Sequence, residues 1–218
     1  MAEPHTPERN DSYMKDFWKE NGAYIGKMTL NQFGAAFFGI MLVLAASAAQ
    51  SQRTWLTLFA SAFATLFYLF LVYTVLWEKG GQDRIRVDSG RQQRTPLKGL
   101  FITVCANIPN ILLGLLDIGT RLVMDPADPE RLAGKVNSIV RAIVLLWEGM
   151  YAGFVSYAHT VAPNHPYLLS LTRLAIVIPA LLVGGAAYWL GLNNKRLLQP
   201  FELKQPDRSG AGSGEKRV

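Results

Sequence analysis

One cysteine and three histidines in 218 residues leave little from which to build a disulfide, a metal cluster or a thiol–imidazole pair. Cys105 lies inside an apolar stretch, and His159 and His165, six apart around Pro163, match no helical ligand spacing. No metal site and no cofactor is expected. Charge is also scarce, at 17% of residues, and it is concentrated in the connections between apolar stretches. No glycine-rich turn followed by Lys and Ser or Thr is present, so a phosphate loop is excluded. No cleavable signal peptide is read, because the first ~27 residues mix polar and aromatic side chains and the first apolar stretch has the length of an anchor.

What the chain has instead is hydrocarbon. Half of its residues are hydrophobic, gathered into five stretches at about 30–49, 55–77, 99–116, 136–157 and 171–192. Each is near the ~20 residues with which an α-helix crosses ~30 Å of lipid core. Stretch 55–77 carries Leu, Phe, Ala, Val and Tyr on every face, with Ser61, Thr65 and Thr74 as its other polar groups, so no water-facing stripe can be drawn on it. Five such stretches in a chain this short leave nothing to cover them in water. The expected class is an all-α membrane protein with one membrane domain over 30–192. A cytoplasmic segment at 1–29 precedes it, and a flexible basic cytoplasmic tail at 193–218 follows.

The net charge of +6 is a topology signal and not a nucleic-acid one, because the basic residues flank apolar spans. With five full spans, the 22 lysines and arginines divide eleven and eleven, which gives no orientation. If the third stretch leaves by the face it entered, the division is twenty against two, with only Arg53 and Arg173 outside. That stretch holds Asn107-Ile108-Pro109-Asn110 at its middle, where proline removes a backbone donor and asparagine favours caps and turns. The expectation is four transmembrane helices plus one re-entrant or Pro-kinked helical hairpin, with five spans as the alternative. Both termini are then cytoplasmic in a multi-pass protein of the plasma membrane.

Residues 1–10 read as disordered. Asp11 or Ser12 can cap an interfacial helix that sets Tyr13, Met14, Phe17 and Trp18 on one face, with Gly22 as its breaker. Residues 78–98 read as a compact loop with turns at Gly80-Gly81 and Gly90. Segment 125–130 is a turn leading to a helix start at Asp128-Pro129. The connection 159–170 carries no Lys or Arg and reads as an outside loop. Small residues at Ala35, Gly39, Ala180, Gly184 and Gly185 permit close helix approach, and Pro179 should kink the last span. Trp55, Tyr73, Trp77, Tyr188 and Trp189 are placed at the membrane interface.

Glu148, near the middle of the fourth stretch, is the leading functional candidate, because a carboxyl group in hydrocarbon finds a partner or takes up a proton. Asn107, Asn110 and Tyr151 are its expected hydrogen-bond partners, and Arg141 lies two turns earlier on the same face. The Asn107–Pro109 turn also offers a helix N-terminus at mid-membrane, which suits an anion or a polar oxygen. Arg84, Arg86, Arg91 and Arg94 could bind anionic lipid or phosphate, with salt bridges to Asp83 and Asp88 as the plainer role. The expected partners are a bilayer with anionic lipids, and a second copy of the chain or a membrane-complex subunit; no nucleic acid is expected.

The run from Trp77 through Glu-Lys-Gly-Gly-Gln-Asp-Arg-Ile-Arg-Val-Asp-Ser-Gly to Arg91, with Pro96-Leu-Lys-Gly-Leu and Asn107-Ile-Pro, resembles stretches of uncharacterised small integral membrane proteins of Gram-positive bacteria. That resemblance implies a bacterial plasma membrane and no assigned activity. Two functions fit the residues. One is a transporter, channel or transport-complex subunit with a mid-membrane polar site; the other is a non-catalytic accessory or assembly protein that recruits a partner through its basic loop. An enzyme is disfavoured, since no nucleophile, metal cluster or carboxylate pair stands at usable spacing.

Overall fold

A computed structural model describes residues 7–48, 54–123, 132–161 and 166–195. Among these residues there is no strand. No proline occurs between Pro7 and Pro96, and nothing interrupts the two long helices that result, α1 (Pro7–Ala48) and α2 (Thr54–Asp88). Then come α3 (Lys98–Ala106), α4 (Ile108–Val123), α5 (Leu132–Trp147), a 3-10 turn at Gly149–Tyr151, α6 (Ala152–Val161), α7 (Pro166–Ala175) and α8 (Val177–Leu192). Three segments, Met14–Ala48, Trp55–Asp88 and Leu171–Leu192, are long and apolar enough to cross a membrane. Two bent pairs, α3–α4 and α5–α6, can bring the number to five. Phe37, Met41, Leu44, Phe59, Phe63 and Leu66 stand exposed along α1 and α2, as expected of helices solvated by lipid.

The helices pack through glycine contacts. A Cβ on Gly39 would collide with the backbone of Met150, one on Gly184 with Thr103, and one on Gly80 with the Tyr188 carbonyl. Ala35 and Ala180 are also buried, whereas Gly185 makes only ordinary contact with Leu100. Gly80-Gly81 is therefore not a turn. α2 continues through it to Asp88, because Gly80 and Gly191 let α2 and α8 approach closely; the turn comes at Gly90, whose φ is +71°. Gly22 likewise does not break the N-terminal helix, which starts by Pro7 and runs unbroken into the first span. Residues 1–6 lie outside the described residues, as do Arg53, the 125–130 turn, His165 and the tail beyond 195. The expected 159–170 loop is largely helical, with Pro166 opening α7 at a position where its missing N–H costs nothing. Pro179 lies in the first turn of α8, just after the break at Ile176.

The fourth apolar stretch is not one straight span. It breaks after Trp147, with an angle of 84° between α5 and α6. Glu148 takes φ −104° and ψ 19°, outside the helical region. Gly149 and Gly153 flank the break; the first lies against Ile40 and the Ala36 carbonyl of α1, and the second against Thr57 of α2. Ser61 Oγ accepts a hydrogen bond from the Gly153 amide at 2.8 Å, which satisfies one of the donors freed there. The third stretch bends by 50° at Asn107, where its sequence marks a break.

One end of the bundle is held together by charge. Glu20 of α1, Lys79 and Asp83 of α2, Lys98 of α3 and Tyr188 of α8 meet there. At the same end, the Trp77 indole N–H donates to the Lys195 carbonyl at 2.9 Å. α3 and α4 then advance along α1 away from that end: Thr29 lies at Ala106, and Gln32 at Asn110. Farther on, α4 meets α7 in the order Gly114 with Leu174, then Asp117 with Arg173.

Candidate mid-membrane polar site

Gln32, in the middle of α1, is buried and donates from Nε2 to Asn110 Oδ1. Asn110 Nδ2 donates to Asn107 Oδ1 at 2.9 Å, and Asn107 Nδ2 donates to the Thr103 carbonyl at 2.9 Å. The Pro109 bend makes this possible. Proline's missing N–H and ring disrupt the helix at that point, and the two asparagine amides turn inward to occupy the opening. Tyr68 of α2 and Tyr151 are buried in the same core cluster, and the Tyr151 amide donates to the Glu148 carbonyl at 2.8 Å.

Glu148 is buried, and its partner is Arg173 of α7, whose Nε lies 3.8 Å from Glu148 Oε2. The Arg173 guanidinium lies 3.2 Å from Asp117 Oδ1 of α4. Three helix breaks bring these groups together: the bend at Asn107 aims α4, the 84° break ends α5 at Glu148, and α7 hangs from the Ile176 junction. Among the described residues, the Arg173 guanidinium lies between the Asp117 and Glu148 carboxylates. Lipid tolerates such groups only when they face one another or a polar path. Toward the charged end of the bundle, Met28, Val72, Leu76 and Ile102, all buried, form an apolar layer between this site and the Glu20–Lys79–Asp83 cluster.

The four expected residues of the path, Glu148, Asn107, Asn110 and Tyr151, are all buried, but Asn107 and Asn110 bond to each other and to Gln32, whereas the Glu148 carboxylate faces Arg173. Arg141 is exposed and does not reach Glu148. Sequence reasoning missed Gln32, Tyr68, Asp117 and Arg173. The last carried a signal, since it is the single charge inside the 171–192 window, yet the charge count assigned it to an outside loop. The basic set does not converge. Arg86 pairs with Glu20 at 2.6 Å, Arg94 donates to Asn193 Oδ1, Arg84 is half-buried, and Arg91 is exposed. Asp83 bonds chiefly to Lys79 and Lys98, at 2.9 and 3.0 Å. Tyr188, expected at the interface, is instead fully buried, with its hydroxyl donating to Asp83 Oδ2 at 2.9 Å.

Comparison with protein-family models, with curated proteins and with solved structures returns no match to this chain.

Proposed function

We propose that this chain is a membrane transport component that passes protons or a small cation, and that Glu148, Arg173 and Asp117 form its mid-membrane site. The observation that carries the reading is the burial of Glu148, Arg173 and Asp117 against one another, brought from three parts of the chain, beside the buried hydrogen-bonded run Gln32–Asn110–Asn107. A static bundle gains little from desolvating so many polar groups on separate elements, because apolar side chains of similar volume pack as well at lower cost. The two buried carboxylates at Arg173 favour a proton or cation over the anion suggested by the Asn107 turn alone.

The arrangement in the membrane follows from parity. The N-terminal part of α1 and the C-terminal end of α8 share the charged end of the bundle, so the number of crossings is even. α1, α2 and the α7–α8 pair supply three. Between them, α3 starts at the charged end, and α6 packs at the opposite end, against the first turn of α2. One of the two bent pairs crosses and the other returns. Because α4 passes from Gln32 of α1 to Leu174 and Arg173 of α7, and the α3–α4 pair bends by only 50°, that Pro-kinked pair is the fourth span. α5–α6, with its 84° break, dips in from the outer face and presents Glu148 at its deepest point. This moves re-entry from the third apolar stretch to the fourth. Sixteen lysines and arginines are then inside and five outside, with Arg173 in the mid-membrane site, which keeps both termini cytoplasmic. A bacterial plasma membrane is the setting that the sequence resemblance implies.

The test is flux into liposomes holding the purified chain and a pH-sensitive dye, with potassium and valinomycin setting the potential. Proton entry should exceed that of empty liposomes and fall about tenfold or more in Glu148→Gln, a change that keeps the shape of the side chain and removes its charge. If wild-type and empty liposomes are indistinguishable for protons and for sodium and potassium, the reading is wrong.

The exposure of Arg91 beside half-buried Arg84 favours a second reading, an accessory protein that docks a partner on its cytoplasmic loop. Co-purification lost in the Arg84→Ala/Arg91→Ala double variant and kept in Glu148→Gln would favour it.

A further inference from the structure

A crevice of about 780 Å³ opens at the cytoplasmic end between the start of α1 and α3, within the ~300–1,000 Å³ range of small-molecule sites. Its lining divides by chemistry along its length. The lower wall is a stripe of Leu97, Phe101 and Cys105, spaced by four and therefore on one face of α3. Leu97 and Phe101 are each more than half exposed. At 1.5 Å per residue the stripe descends about 12 Å from the charged end toward the Asn107 bend, close to the ~15 Å that one leaflet's hydrocarbon occupies. Trp18 and Met14 of α1, both exposed, face it from the other side.

The upper wall is polar and charge-balanced, with Asp16 and Glu20 from α1 opposite Arg94 and Lys98. Glu20 and Lys98 already bond to each other at 2.9 Å. Asp16 and Arg94, both exposed, stand at the mouth; Arg94 gives one of its N–H groups to Asn193 Oδ1 and keeps others for a ligand. A wholly anionic head would meet Arg94 at the expense of crowding Asp16 and Glu20. A head carrying both an ammonium and a phosphate satisfies both walls: the phosphate accepts from the Arg94 guanidinium, and the ammonium donates to the Asp16 carboxylate.

We infer that this crevice binds one phospholipid of the inner leaflet through a phosphoethanolamine head, with an acyl chain lying along Leu97, Phe101 and Cys105. Choline lacks the N–H donors that Asp16 requires, and phosphoglycerol lacks the cation. The site is separate from the Glu148 cluster and does not depend on its role.

Native mass spectrometry of the detergent-solubilised full chain, titrated with phosphatidylethanolamine, phosphatidylcholine and phosphatidylglycerol of identical chains, tests it. The first lipid should bind roughly tenfold more tightly than either other, the difference expected of one charge-assisted hydrogen bond. Asp16→Ala should abolish that preference, while Arg94→Ala, which removes the contact to the phosphate common to all three, and Phe101→Ala should each weaken the three lipids together. Equal or tighter binding of phosphatidylglycerol by the wild-type chain overturns the inference. So does a phosphatidylethanolamine preference that survives Asp16→Ala.

Discussion

Lys79 and Asp83 lie one turn apart on α2 with almost no exposure, and each is held from other helices: Lys79 by Glu20, Asp83 by Lys98 and Tyr188. Removing one partner of such a group leaves a buried charge unmatched, which costs more than the pair contributes. Asp83→Ala should therefore destabilise the chain by roughly 3–5 kcal/mol in a denaturant titration in detergent. Lys79→Met combined with Asp83→Leu should recover part of that loss. The same logic applies at mid-membrane. Arg173→Met removes the cation that Asp117 and Glu148 share, and its cost should shrink measurably in a Glu148→Gln background, since Arg173 and Glu148 share one cluster. Equal costs in the two backgrounds would mean that Glu148 and Arg173 do not interact. Glu148 was legible in the sequence because a lone acid in an apolar run has no ordinary use. Its partner was not, because hydropathy places Arg173 near the end of a window, where a cation is usually an interface residue. Only the turn of α5 and α6 beneath α7 brings the two together.

At the scale of elements, α2 and α8 make the closest pair in the fold, in contact through Gly80 and Gly191, where neighbouring backbone occupies the space of a side chain. Gly80→Val should force the helices apart, costing about 1–3 kcal/mol or more by overpacking, and should separate Tyr188 from Asp83. A thermal melt of Gly80→Val beside Gly81→Val checks this, because Gly81 has open space around it and its variant should be nearly neutral. The sequence shows a Gly-Gly pair in a polar run, which reads as a turn in the absence of the partner helix. The Asn107-Pro109-Asn110 break was readable because proline's missing donor is a local fact. The break at Glu148 was not, since it depends on Gly149 and Gly153 fitting against α1 and α2, which is a tertiary fact.

For the whole molecule, all-helical membrane character follows from the length and uniformity of the apolar stretches, and residue order alone was enough to give it. The path through the bilayer was less legible. Counting charges rewards any arrangement that gathers cations on one face, and it drew Arg121, Arg131, Lys135 and Arg141 inside. In the arrangement we propose, with α3–α4 as the fourth span, they lie outside. Membrane-impermeant thiol labelling of intact cells, in a Cys105→Ser background with single cysteines at Asp128, Asn164 and Gly90, measures this path directly. Cysteines at 128 and 164 should both label from outside, and the one at 90 only after the cells are opened. If 128 and 164 label from opposite faces, α5–α6 crosses the membrane, Glu148 is not at the tip of a dipping segment, and the account is contradicted.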